Sequence, residues 1–81
     1  MRQRENQIVG RVLAEFRNEI GLSQEDAAHA AGLHRAQYGH YEQGRNAVPY
    51  LVMLRIVRGL GVPIEDVSAA VEKALGRRRA R

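Results

Sequence analysis

A chain of 81 residues with no cysteine has room for one small core and neither a disulfide nor a thiolate metal site to reinforce it. No stretch approaches the roughly 20 apolar residues of a membrane span, and the opening MRQRENQ lacks the apolar segment of a secretory signal, so a cytoplasmic protein away from any membrane is expected. The formal charge of +4 comes from thirteen Lys and Arg against nine Asp and Glu; Arg77, Arg78, Arg79 and Arg81 supply four of the thirteen, which leaves residues 1–76 with nine of each sign. We therefore read a domain over 1–76 and a basic, disordered tail over 77–81. Any nucleic-acid function of the domain must rest on where individual Arg and polar side chains stand, because bulk basicity belongs to the tail.

Taken in order, Ile8, Val9, Val12, Leu13, Phe16 and Ile20 recur at helical spacing and predict helix 1 from Glu5 to Ile20, ended by Gly21. Ser23 precedes QEDAAHAA with Asp26 three positions on, a variant of the capping box, so helix 2 should run from about Gln24 to Ala31. Gly32 can take the left-handed conformation that ends a helix, with Leu33 packing beneath the turn. Helix 3 follows from His34 or Arg35 to about Gln43, with Tyr38 and Tyr41 facing inward and Gly44 as its stop. Pro49 suits the first turn of helix 4, whose apolar stripe is Tyr50, Met53, Leu54, Val57 and Leu60. Helix 5 runs from near Ile64 to Leu75, with Glu65 and Asp66 at its positive end and Lys73 near its negative end. No alternating run of β-branched residues suggests a sheet, and the expected class is all-α with five helices.

Helices of eight to ten residues are marginal in isolation, so helices 2 and 3 need helices 1, 4 and 5 as a base. A tight AGL turn between them then lets helix 3 anchor Tyr38 and Tyr41 inward and project its outer residues, which is the logic of a DNA-reading helix pair. Here the resemblance becomes specific. GLSQ at 21–24, the small Ala28 and Gly32, YEQG at 41–44 and LGV at 60–62 resemble the helix-turn-helix of the lambda repressor and Cro superfamily, the XRE family, over about Val9 to Val67. The chain is similar in size to small restriction-modification controllers and compact phage repressors.

That resemblance implies a lambda-repressor-like domain with helix 3 in the major groove. Arg35, Ala36, Gln37 and His40 would face base edges, Arg35 toward guanine and Gln37 toward adenine or a phosphate. Ser23, Gln24, Gly39, Arg45 and Asn46 would meet phosphates, Gln24 helped by the amides of helix 2. Arg17 and Glu42 match positions that commonly form a partly buried ion pair between helices 1 and 3. Two departures fall in the core: Ala27 stands for a usual leucine and Tyr38 for a usual aliphatic, changes that can offset each other. His34 stands where a Ser or Thr cap is usual.

Other chemistries find little support. His29, His34 and His40 are spaced by five and six and do not stack on one helical face, so no metal and no cofactor are expected. There is no cysteine nucleophile, Ser23 has a cap role and Ser68 an exposed one, so no enzyme is expected.

One recognition helix reads only about four or five base pairs, so proteins of this type bind inverted repeats as two-fold homodimers. Ala70, Val71, Ala74 and Leu75 on helix 5 form the expected interface, unless Val71 and Leu75 join Ile64 and Val67 in closing the monomer core. The expected function is a homodimeric transcriptional regulator, regulated by its own concentration, with double-stranded DNA as partner. RNA polymerase is a further partner if Glu25 and Asp26 serve activation. The alternative is an antitoxin whose main partner is a toxin protein.

Overall fold

The computed structural model describes residues 2–76, in which five α-helices and no strand are found: α1 (Arg2–Ile20), α2 (Gln24–Ala31), α3 (Arg35–Gln43), α4 (Tyr50–Leu60) and α5 (Ile64–Leu75). The basic tail with Arg77, Arg78, Arg79 and Arg81 lies outside the described residues. No helix among the described residues is long and apolar enough to cross a membrane.

The core follows from which stripes meet. α2 packs mainly on α4, and α1 on α3 and α5, around the wholly buried Leu13, Tyr38, Ile56 and Val67. Three alanines of α2, Ala27, Ala28 and Ala31, are buried in the same cluster, so a small residue at 27 and a large one at 38 share one core, as the two departures suggested. Small residues also set the closest helix approaches. A Cβ on Gly10 of α1 would collide with the backbone carbonyls of Tyr41 and Glu42 on α3, and one on Gly59 of α4 would lie 3.0 Å from Ala30 of α2.

The α2–α3 turn forms as the sequence indicates. Gly32 adopts φ +70°, its N–H donates to the Ala28 and His29 carbonyls, and the Leu33 N–H donates to the Ala28 carbonyl at 2.9 Å. Leu33 packs partly against the core, which fixes how α3 leaves α2.

Four details correct the sequence reading. α1 begins at Arg2, a turn before Glu5. Pro49 caps α4 from outside in an extended conformation instead of occupying its first turn. Only half of the capping box forms: Ser23 Oγ accepts the Asp26 amide at 3.0 Å, but no bond returns from the Asp26 carboxylate to the Ser23 amide. Tyr50 does not join the inward stripe of α4; it is 68% exposed, and its neighbour Leu51 is 70% exposed. The inward arc of α4 is centred on Ile56, Val57 and Leu60, which turns the first residues of the helix toward solvent.

Candidate nucleic-acid interface

Helix α3 is held by Tyr38 and Tyr41 on its inner side, leaving Arg35, Ala36 and Gln37 exposed and His40 half-buried. His34 caps it with extended backbone and no side-chain hydrogen bond, so its first turn has only the backbone bond from the Tyr38 N–H to the His34 carbonyl. Gln24, Arg35, Ala36, Gly39, His40 and Arg45 come together around one shallow depression between the start of α2 and the outer face of α3. Gln43 completes the lining; it lies eight positions after Arg35, a spacing that could have flagged it, and the sequence reading missed it. Gln37, Ser23 and Asn46 are exposed beyond this depression.

Positive charge here is uncommitted. Arg35 and Arg45 make no salt bridge among the described residues, and no acidic side chain lines the depression. Ser23 spends its hydroxyl oxygen on the cap, which orients the first turn of α2 toward the same side. Gln37 Nε2 lies 3.4 Å from the Tyr41 hydroxyl one turn on, a long contact that leaves its carbonyl free.

Behind the depression stands the expected ion pair. Arg17 Nε donates to Glu42 Oε2 at 2.6 Å and Arg17 Nη2 to Glu42 Oε1 at 3.1 Å, a two-pronged contact whose side chains are 12% and 5% exposed. Arg17 Nη1 also donates to the Leu22 carbonyl at 2.9 Å and to Asn18 Oδ1 at 3.1 Å, so one guanidinium joins α1, the α1–α2 turn and α3. Gln24 Nε2 donates to Glu42 Oε1 at 2.8 Å, a bond the sequence did not suggest.

Burial alone would raise the Glu42 carboxyl, but hydrogen bonds led by Arg17 outweigh it and hold the group below its ordinary 4.5. The bond to Glu42 likewise raises Arg17 above its ordinary value. The buried Tyr38 hydroxyl sits beside this pair with no hydrogen bond of good geometry among the described residues, and burial first, its nearness to the Glu42 carboxylate second, push its ionisation up.

The residues expected at a dimer interface divide. Ala70 and Val71 are half-buried and pack partly against the core, Leu75 is half-buried, and Ala74 is exposed. Val71 and Leu75 line a mostly apolar groove with Val9, Met53, Ile64 and Val67. The most exposed of the large apolar side chains are instead Tyr50 and Leu51 at the start of α4, ahead of Ile20 at the end of α1. No group of His, Asp or Glu among the described residues is arranged to hold a metal ion.

The profile of a family described as "Helix-turn-helix domain" matches residues 8–70. Among solved structures, the restriction-modification controller protein C.AhdI from Aeromonas hydrophila is 30% identical with a TM-score of 0.76, over 79% of this chain and 97% of that one. A single-residue mutant of the restriction-modification controller protein C.Esp1396I is 25% identical with a TM-score of 0.84, over 90% of this chain and 97% of that one. The clp gene regulator ClgR from Corynebacterium glutamicum superposes with a TM-score of 0.85 at 20% identity, over 91% of this chain and 96% of that one, a likeness of fold. No match is found among curated proteins.

Proposed function

The chain belongs to the helix-turn-helix family, of the lambda-repressor and Cro type, and from that membership we propose that it is a transcriptional regulator binding an inverted-repeat operator as a homodimer in the cytoplasm. One observation carries the reading: exposed Arg35, without a salt bridge among the described residues, shares a depression with Gln24, Gly39, His40 and Arg45, and no acidic side chain lines it. In this reading α3 enters the major groove. Arg35 offers a two-pronged donor to guanine, Gln37 meets adenine or a phosphate, and Ala36 and His40 face base edges or thymine methyls. Gln24, Ser23, Gly39, Arg45 and Asn46 hold the flanking phosphates, which fix register without reading sequence.

Dimerisation uses the outer residues of α5, Ala70, Val71, Ala74 and Leu75, and the exposed Tyr50 and Leu51 add apolar surface from α4. The likeness to two restriction-modification controllers supports a compact regulator whose occupancy follows its own concentration through the dimer equilibrium.

Selection of bound sequences from a random duplex library at about 150 mM salt tests this reading. An enriched inverted repeat is the expected result. Absence of enrichment, with binding that vanishes as salt is raised, would overturn it.

A further inference from the structure

The Glu42 carboxylate is consumed from two sides, by Arg17 of α1 and by Gln24 at the start of α2. An ionised carboxylate only accepts hydrogen bonds, so the Gln24 atom 2.8 Å from Oε1 must be the amide nitrogen, and the carboxamide is fixed one way round. Its second N–H has no partner among the described residues. Its carbonyl oxygen lies toward Gly39, where a Cβ would meet that oxygen, at 3.9 Å, as its one near neighbour. Gly39 is itself buried in the free protein and adds no side chain beside the carboxamide, which lines the depression with it.

We propose that Glu42 is a positioning residue for DNA binding: it holds one N–H of Gln24 so that the other is presented, already ordered, to a DNA phosphate at the rim of the depression. Arg17 keeps the carboxylate in place from α1. A long, flexible side chain that must be ordered on binding loses affinity, and an ordering bond made inside the free protein removes that loss. The inference rests on the reading of this face as a DNA surface and adds to it that the buried pair acts through Gln24.

The test exploits the tendency of buried ion pairs to tolerate replacement by apolar residues of similar volume. Arg17→Met/Glu42→Leu is expected to melt within a few degrees of the wild type, so any loss in DNA affinity is not a folding loss. Anisotropy titrations would use the duplex enriched from the random library, with wild type, Gln24→Ala, the apolar pair, and all three changes together. Gln24→Ala is expected to weaken wild-type binding about tenfold, the apolar pair to weaken it about threefold to tenfold, and Gln24→Ala to cost much less in the apolar background than in the wild type.

An apolar-pair protein that binds as tightly as wild type, or an undiminished Gln24→Ala loss in its background, would overturn the positioning role while leaving the DNA reading intact. A wild type that binds no duplex specifically would overturn the DNA reading, and this inference with it. Should the apolar pair fail to fold, hydrogen exchange in the free wild type decides the matter. One Gln24 side-chain amide proton should exchange measurably more slowly than its partner, and equal, fast exchange of both would overturn the proposal.

Discussion

Removing Arg17 alone would leave Glu42 charged at a site where its side chain is 5% exposed. Arg17→Ala is therefore expected to cost about 3–5 kcal/mol, and the double change with Glu42→Gln less, because it leaves no orphaned charge. Urea titrations at pH 7 check this, and equal losses would contradict it. The same carboxylate sets a pH dependence. Its folded value lies below 4.5, so the native state takes up a proton less readily than the unfolded chain, and stability is gained above that range. That gain is complete above 4.5 and disappears as pH falls through the lowered folded value. In urea midpoints measured down the acid range, wild type should fall more steeply than Glu42→Gln, which starts lower at pH 7; parallel curves would contradict the assignment.

Within the helices, two glycines carry opposite expectations. Gly39 sits in the middle of α3 with only the Gln24 carbonyl oxygen near its missing Cβ, so Gly39→Ala should raise stability by up to ~1 kcal/mol while weakening DNA binding. Gly10 lies against the Tyr41 and Glu42 carbonyls, so Gly10→Ala should lower stability by about 1–3 kcal/mol. Thermal melts and duplex titrations of the two variants separate these roles; a Gly39→Ala protein with unchanged DNA affinity would remove that residue from the interface. The helix ends at Ile20, Ala31, Gln43, Leu60 and Leu75 were legible because each is followed by a glycine that stops it. The start of α4 was not, since Pro serves equally outside a helix and in its first turn, and the eight apolar residues from Tyr50 to Leu60 describe an arc wider than the face α2 covers. The purpose of Gly10 and the Gln24–Glu42 bond were hidden for a different reason. Each joins residues far apart in the chain, and no local period encodes such a contact.

For the molecule as a whole, the proposed pairing of two copies uses Leu51, exposed at the start of α4, and Val71, half-buried on α5. Val71→Glu and Leu51→Glu should each shift the sedimentation mass to that of a monomer while leaving the helical circular dichroism unchanged. An unchanged mass in both would refute the interface. The candidate site was legible as a list of residue types at motif spacing, and the Arg17–Glu42 pair followed from the same pattern. Gln43 and the commitment of Gln24 to Glu42 emerged only when α2 and α3 were set side by side. Base reading by Arg35 on α3, as proposed, is tested by the affinity of wild type and Arg35→Ala for every single-base-pair variant of the selected half-site. Wild type should lose about 1–3 kcal/mol when one particular guanine is changed, and Arg35→Ala should be indifferent at that position while keeping its other preferences. A uniform weakening by Arg35→Ala across all variants would contradict it.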